Sequence, residues 1–495
     1  MRDPERFIRQ VSERSNHGIF SLQILGRTWN IVTDRALLAQ VYQLAGTCIE
    51  PSSAQWSLLC RVFGANKRFK QAFLNAREDM CGSPDLYVPH QSEPSTLLST
   101  TTQRIQLQIP QLVSFSEGSV DQSPWERSSH AELVHGDAVE ADLFALITTF
   151  AGHAILPSLL GSEFLDTYPG VFDDLRKLDS SMKYLLLGLP RWFPIESLAS
   201  ANIARHRLDN SIDSFHRAID KVAAGRKPEL PWRDMSDVSE EMKGRCALWR
   251  KHKLPPAVKG PLDLQLIWTI NFNVINLIFW LLLRIYSTPN LVEQIRTETA
   301  FSAKASQPRQ SFGIPEPPLL ELSVKRLSQS CPLLKSCFYR CMRLDTSPVS
   351  IYSICRDMVI TKSRQDLFGN ERPASYQVKA GEMLAIPLQV HHRDLQESNF
   401  GAETFLVESE TGSEQIVDGP RHSIPLDDPE TLFPFGEFSE SIILALVAGI
   451  LALWDLESLH PEQPAFPCHQ TSPNFSSPVD DVRFRVRRRR LSIAK

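Results

Sequence analysis

The spacing of apolar positions divides the chain into two short strand-forming regions and a long helical body. Residues 19–32 read IFSLQILGRTWNIV, in which apolar and polar residues alternate around Gly26 as in a β-hairpin. From residue 34 onward, apolar residues recur three and four positions apart, as on one face of a helix. Short β-branched runs return at 346–392. The sequence therefore predicts a mainly α protein with a smaller β-region.

One helix of the body is more apolar than the others. Residues 267–283 read IWTINFNVINLIFWLLL, which approaches the length that crosses a bilayer. The stretch also contains Asn271, Asn273 and Asn276, and amide side chains are disfavoured in lipid. We therefore expect a helix buried inside the protein rather than a membrane span.

Two other segments bear on membranes. The start, MRDPERFIRQ, is charged from its second residue, so we expect neither a signal peptide nor a membrane anchor there. The apolar segment LLLGLPRWFP at 185–194 has two interpretations, a contact with a membrane surface or a contact with the protein core. We expect the core contact.

Composition narrows the class of protein further. Of the 495 residues, 42% are hydrophobic and 22% are charged, which excludes the disordered and fibrous classes. The net charge of -4 argues against a general nucleic-acid binder. Two basic runs, Arg250 with Lys251 and Lys253, and VRFRVRRRR at 482–490, are expected to be solvated surfaces.

The cysteines and common motifs exclude several other classes. Nine cysteines without a CxxC pair do not form a disulfide framework, which favours a reduced, cytosol-facing chain. The patterns HExxH, GxGxxG and GxxxxGK[ST] do not occur. The zinc-protease, Rossmann and P-loop classes therefore lack their minimal motif.

Several segments resemble, in the same order, the cytochrome P-450 family of haem-thiolate monooxygenases. LLKSCFYRCMRLDTSPVSIYSICRDM resembles the family's ExxR helix and the strand after it, and IPLQVHHRDLQESNFGAETFL resembles the next segment. LFPFG followed by ALVAGILALWDLE resembles the haem loop and the helix behind it. The resemblance implies the cytochrome P-450 fold as a single domain over 1–495. Its β-rich part would be about 19–32 and 346–392, and its helical body about 34–345 and 439–458.

The same resemblance implies a cofactor, partners and a reaction. The cofactor is a b-type haem, the electron donor is an NADPH-dependent flavoprotein reductase, and the substrate is an apolar small molecule that is hydroxylated or epoxidised. Thiolate ligation of the iron favours O–O cleavage. The pattern NFNVINLIFW is similar to a subgroup of steroid and bile-acid hydroxylases and prostacyclin synthase, which implies a sterol, steroid or terpenoid substrate. Association with the endoplasmic reticulum is also implied.

The haem loop departs from the family pattern F-G-x-G-x-x-x-C-x-G-x-x-F-A. Phe435 and Gly436 match its first two residues, and Phe438 and Ser439 match its final pair. Only Glu437 stands between them, so about nine residues of the pattern are missing, including the cysteine. We therefore expect that the axial cysteine ligand is absent.

Other side chains are weaker candidates for the iron ligand. The thiols are more typical of small buried or surface cysteines, and the two histidines fall where the family has a strand and a loop. These candidates are Cys337, Cys341, Cys355, Cys468, His391 and His392.

Three more positions correspond to family motifs. Arg343 occupies the Arg position of ExxR, but Arg340 stands where Glu is expected, and two like charges three residues apart repel. Alternatively, Arg340 turns to solvent and the pair is simply lost. Asn273 matches an Asn of the family's oxygen pocket, while Val274 replaces the Thr that follows it. A structural role of Asn273 at a helix bend is an equal alternative.

Three hypotheses follow for the function. The chain is a cytochrome P-450-like monooxygenase that is impaired, a non-catalytic relative that keeps the fold as a binding module, or the product of a wrongly spliced or damaged gene. Loss of the loop weakens the first hypothesis, and the cavity that this loss leaves in a haem-binding core weakens the second.

Overall fold

A computed structural model describes most of the chain and shows a mainly helical protein with small sheets. The described residues are 4–14, 18–24, 26–44, 47–82, 96–134, 136–308, 317–345, 349–365, 371–387, 400–403, 406–408, 414–416, 437–459, 467, 469–470, 477–478 and 480–491. The described helices are α1 Pro4–Arg14, α2 Arg35–Gln43, α3 Pro51–Leu58, α4 Lys70–Gly82, α5 Thr96–Gln108, α6 Pro124–Ser128, α7 Leu143–Leu160, α8 Ser162–Thr167, α9 Val171–Ser180, α10 Met182–Leu186, α11 Glu196–Ala223, α12 Glu240–Lys251, α13 Pro256–Thr269, α14 Asn276–Ser287, α15 Leu291–Thr299, α16 Val324–Ser330, α17 Pro332–Asp345 and α18 Glu437–Leu453. Single turns of other helix types span Leu59–Phe63, Lys67–Phe69, Ile109–Gln111 and Ile270–Ile275.

The described strands form several small sheets. They are β1 Ile19–Ile24, β2 Arg27–Val32, β3 Ile49–Glu50, β4 Glu132–Val134, β5 Ala138–Asp142, β6 Ala303–Ser306, β7 Leu319–Leu322, β8 Val349–Ile354, β9 Met358–Gln365, β10 Glu371–Val378, β11 Met383–Pro387, β12 Leu406–Glu408, β13 Glu414–Ile416, β14 Trp454–Ser458, β15 His469–Gln470, β16 Ser477–Pro478 and β17 Arg483–Arg488.

The largest sheet combines strands from distant parts of the chain. Its order is β1-β2-β11-β8-β3, and β1 and β2 form the predicted antiparallel hairpin. Strand β11 runs parallel to β2 and antiparallel to β8, where Leu384 lies opposite Tyr352. Both of these side chains are buried in a core cluster under the sheet. The two β-rich segments of the sequence therefore meet in one sheet.

A second sheet corrects two predicted helix boundaries. Its order is β14-β17-β5-β4. Residues 454–458, predicted as the end of the helical body, form β14 because Trp454 and Leu456 alternate with polar residues and pair with β17. Residues 140–142, which lie within the predicted helical body, belong to β5, and α7 begins only at Leu143. The basic C-terminal run is half buried, since Val486 on β17 lies in the core.

The centre of the molecule is one continuous helical rod formed by α13, the π-helical turn Ile270–Ile275 and α14. Every residue from Pro261 to Leu283 is buried, as expected from the sequence. The rod contacts α7, α11, α17 and α18. It and Leu143–Leu160 are long and apolar enough to cross a membrane, but both lie mostly inside the protein.

The apolar segment at 185–194 does not pack as predicted. Leu187 is 50% exposed and Trp192 is 78% exposed, so the expected core contact is wrong for these side chains. Leu187 comes directly after the last residue of α10. A turn follows, in which the N–H of Phe193 donates to the carbonyl oxygen of Pro190, before α11 begins.

A buried polar cluster joins α11, α12 and the first half of the rod. Asp263 accepts hydrogen bonds from Arg245 Nη2 at 2.7 Å and from Trp249 Nε1 at 3.0 Å, and its Oδ2 lies 2.6 Å from His216 Nε2. Burial alone would raise the pKa of Asp263, but the charge of Arg245 and the contact with His216 lower it to about 2. The carboxylate is therefore ionised and holds three elements together.

We expect Asp263→Asn to lower the free energy of unfolding by about 3–5 kcal/mol, because it leaves the buried guanidinium of Arg245 without its counter-charge. Urea unfolding followed by circular dichroism measures this loss. Because the pKa of Asp263 is lowered, its contribution to the free energy of unfolding is fully present above pH 3.8, the pKa of an ordinary Asp. This contribution is lost as the pH falls toward 2.

The matched control is Asp213→Asn, which removes the carboxylate of a surface pair with Arg217 on α11. We expect a change within about 1 kcal/mol. Equal losses for the two variants would show that the Asp263 cluster does not hold these helices together.

Candidate functional site

The rod changes its hydrogen-bonding pattern where the sequence places the oxygen-pocket residues. Asn273 and Val274 lie in the π-helical turn Ile270–Ile275, and both are buried. In the same turn, Asn271 Nδ2 donates to the carbonyl oxygen of Ile267 at 2.8 Å. Insertions of this kind into an α-helix are common at functional sites and bend the helix locally. The amide of Asn273 and the apolar side chain of Val274 therefore lie next to each other at an irregular turn. Their role in an oxygen pocket stays a prediction.

Helix α17 contains the segment that resembles the ExxR helix. Its two arginines, Arg340 and Arg343, are both withdrawn from solvent, the first fully and the second in part. Arg340 is only 2% exposed, and its Nε donates to the carbonyl oxygen of Phe400 at 3.0 Å. The alternative in which Arg340 turns to solvent is therefore wrong, because a backbone acceptor holds the guanidinium inside. Arg343 lies half-buried on the next turn, where burial and the charge of Arg340 lower its pKa.

A different ion pair joins α17 to the rod. Arg284 on α14 donates to Asp345 through Nη2 at 2.7 Å and through Nε at 2.9 Å. Burial would lower the pKa of Arg284, but the adjacent carboxylate raises it above its usual value. Bidentate geometry of this kind is among the stronger charge-assisted contacts. This ion pair was not predicted from the sequence, because Asp345 shows no relation to Arg284 in the local pattern around Arg343.

The remnant of the haem loop is described only in its second half. Phe435 and Gly436 lie outside the described residues. Helix α18 begins at Glu437, and Phe438 and Ser439 are buried on its first turn. On the same turn Glu440 forms an ion pair with Lys335 of α17 at 3.1 Å. The helix behind the loop therefore packs against the ExxR helix directly from its start.

The two cysteines of α17 do not supply a thiolate. Cys337 and Cys341 are buried on α17, and burial raises the pKa of both thiols, with a further increase from nearby carboxylates. Cys355 is exposed beside the first sheet. A neutral buried thiol is neither a nucleophile nor a metal ligand. Three of the alternative ligands, Cys468, His391 and His392, lie outside the described residues.

The two buried cysteines of α17 therefore do not offer a thiolate to a haem iron. Within the described ranges no group of three or more His, Cys, Asp or Glu side chains could hold a metal ion, a result that concerns metals held by protein ligands alone and not haem. The Arg343 position of ExxR faces another arginine instead of a glutamate.

Comparisons with known proteins agree with the family resemblance. The chain is 20% identical over 494 aligned positions to a cytochrome P-450 monooxygenase of Gibberella zeae. The alignment covers 96% of this chain and 82% of that relative. No family model matches the chain. This similarity supports a relationship to the family.

We expect Arg284→Met and Asp345→Asn each to lower the free energy of unfolding by about 3–5 kcal/mol, because each variant removes the main counter-charge of a buried group. The double variant should cost less than the sum of the two by about 1–3 kcal/mol. Urea unfolding of all four proteins gives this coupling energy.

The exposed pair of Arg176 and Asp173 on α9 provides the control cycle, since its two side chains are 46% and 69% exposed. We expect a coupling below about 1 kcal/mol there. If the losses at Arg284 and Asp345 are additive, the pair does not join α17 to the rod.

Proposed function

We propose that this chain is a cytochrome P-450-like monooxygenase by descent and that its oxygen chemistry is impaired. The observation that carries the proposal is the similarity to a cytochrome P-450 monooxygenase along 96% of the chain, in a mainly helical fold. The impairment is inferred from the short path between Gly436 and Phe438, which leaves no position for the family's cysteine.

The proposed substrate is an apolar small molecule of the sterol, steroid or terpenoid type, and the electron donor is an NADPH-dependent flavoprotein reductase. A b-type haem, when bound, supplies oxygen activation. This chain's own contribution would be made at the π-helical turn. There Asn273 offers an amide donor and acceptor, and Val274 excludes water without offering a hydroxyl for proton delivery.

A non-catalytic relative is the second candidate, and one observation favours it. Helices α17 and α18 are joined by Lys335 with Glu440, and α17 and the rod are joined by Arg284 with Asp345. These two ion pairs join α17 to α18 and to the rod through described residues alone. Contacts of this kind support a fold that is kept as a binding module.

The decisive experiment restores the loop. A nine-residue segment with the family pattern, G-x-x-x-C-x-G-x-x, is inserted between Glu437 and Phe438, and its matched control carries Ser at the Cys position. Each protein is expressed with haem precursor, reduced and exposed to carbon monoxide. We expect the strongly red-shifted Soret band of thiolate-ligated haem only from the Cys insertion.

The unmodified chain is measured beside the two insertions. A thiolate-type band from the unmodified chain would overturn the proposed impairment, because another cysteine would then bind iron. A Cys insertion that folds but takes up no haem would favour the non-catalytic relative. Comparison of transcript and genomic sequence across Phe435 to Phe438 tests the third hypothesis, a misplaced splice junction.

We also propose that the chain faces the cytosol and associates with the surface of the endoplasmic reticulum. The exposed side chains of Leu187, Trp192 and Phe193 support this proposal, because aromatic and aliphatic groups of this kind partition into the bilayer interface.

Trp192→Ser should reduce the fraction of protein that sediments with phosphatidylcholine vesicles by about half or more, because it removes the most exposed of these apolar side chains. Phe301→Ser removes an equally exposed aromatic side chain, 76% exposed, next to β6 and serves as the control. Equal effects of the two substitutions would contradict a specific membrane-facing segment.

A further inference from the structure

A cavity of about 120 Å³ lies between α11, α12 and the first turn of α13. This volume is several times the ~10–15 Å³ that one water molecule requires. The lining residues are His216, Asp220, Cys246, Trp249, Arg250, Lys253, Leu254 and Lys259. The cavity lies next to the Asp263 cluster, at the end of the rod that precedes the π-helical turn.

The cavity lining includes His216, which has a buried polar atom that no described residue satisfies. His216 is 1% exposed, and its Nε2 is engaged by Asp263 at 2.6 Å. Because Asp263 is ionised and accepts, Nε2 carries the proton of this contact. His216 Nδ1 has no hydrogen-bond partner among the described residues. A buried polar atom without a partner is destabilising, so a solvent molecule or a ligand in the cavity is expected to meet it.

The mouth of the cavity is positively charged. Arg250, Lys253 and Lys259 line it, and Asp220 is its single carboxylate. Asp220 accepts from Arg250 Nη1 at 2.8 Å, and its other oxygen lies 3.6 Å from Lys259 Nζ. Three cations against one carboxylate leave two positive charges in excess.

The neighbouring Asp263 does not change this balance. Its charge is compensated by Arg245, which lies behind the floor and does not line the cavity. The cationic excess is therefore directed at the cavity itself. A metal cation would be repelled there, whereas an anion with several acceptor oxygens would be attracted.

We propose that this cavity binds a small oxyanion, namely phosphate or the phosphate group of a small molecule. The oxygens of the anion accept from Lys253 and Lys259 at the mouth, and from Arg250 once it shares its contact with Asp220. On the buried side, the O–H of a monoprotonated phosphate donates to the lone pair of His216 Nδ1. Lys253 is the cation with no carboxylate partner in the described chain, so it is free to close over the ligand.

The proposal goes beyond the monooxygenase function and does not depend on it. No lining residue belongs to α17, to α18 or to the π-helical turn. Arg250, Lys251 and Lys253 were predicted to form one solvated surface. The structure separates them, because Lys251 forms an ion pair with Asp79 at 2.5 Å outside the cavity, whereas the other two line it.

The test is isothermal titration of the full chain with inorganic phosphate and, separately, with glycerol phosphate, at constant ionic strength. We expect saturable binding with one site. Lys253→Gln and Lys259→Gln should each weaken it about fivefold or more, because each removes a charge-assisted contact. Tighter binding of inorganic phosphate assigns the free ion as ligand, and tighter binding of glycerol phosphate assigns a phosphorylated small molecule.

Two further variants test whether phosphate binds in this cavity and not elsewhere on the surface. Lys251→Gln, one helical position from Arg250 but outside the cavity, should leave the affinity within about twofold of the unmodified chain. Asp220→Asn should tighten binding about fivefold or more, because it removes the competing carboxylate and releases Arg250 and Lys259. A damaged fold cannot produce tighter binding, so this result is specific to the site.

Two outcomes would overturn the proposal. The first is the absence of saturable phosphate binding to the unmodified chain, which would mean that only water occupies the cavity. The second is an equal loss of affinity in Lys251→Gln and Lys253→Gln, which would mean that phosphate binds the general positive surface of α12.

Discussion

Burial of the central rod is the constraint on which the rest of the structure depends. Every residue from Pro261 to Leu283 is buried, so the polar groups along this length need partners within the protein. Backbone hydrogen bonds supply most of these partners, and Asn276 Nδ2 finds another in Ser477 Oγ at 3.0 Å. The helices packed on the rod are therefore also the groups that exclude water from it.

Helix α18 is positioned by its own packing. Its apolar residues from Ile442 to Leu453 are buried. The first turn is held by Phe438, which lies inside the protein, and by Glu440, which pairs with Lys335 of α17. The position of α18 therefore follows from its apolar residues and from this ion pair.

Elements set by local pattern were predictable, and contacts between distant residues were not. The hairpin at Ile19–Val32 and helix α17 follow from strand alternation and helical spacing. Strand β14 was missed because an apolar run continues from α18 into Trp454, and only pairing with β17 shows where the helix ends. The candidate site likewise combines features that the local pattern predicts with contacts that it does not.

Within the candidate site, burial of Asn273 and Val274 was predictable from the apolar run around them. The contact of Arg284 with Asp345 was not, since it joins residues 61 positions apart. The contact of Arg340 with Phe400 joins residues 60 positions apart, and the sequence left two alternatives for Arg340, repulsion of Arg343 or a turn to solvent. A single sequence contains the apolar pattern of a helix but not the partner of a buried charge.

The two buried ion pairs explain how a very apolar helix keeps one position in the core. An apolar rod packed among apolar neighbours slides at little cost, because one set of dispersion contacts replaces another. Asp263 near one end and Arg284 near the other lie about 30 Å apart at helical rise, and each meets its counter-charge on a different neighbour, α12 and α17. A shift of one turn would separate both pairs inside the core, where unpaired charges are most costly. The charged ends therefore fix the register of the rod, and with it the position of the irregular turn between them.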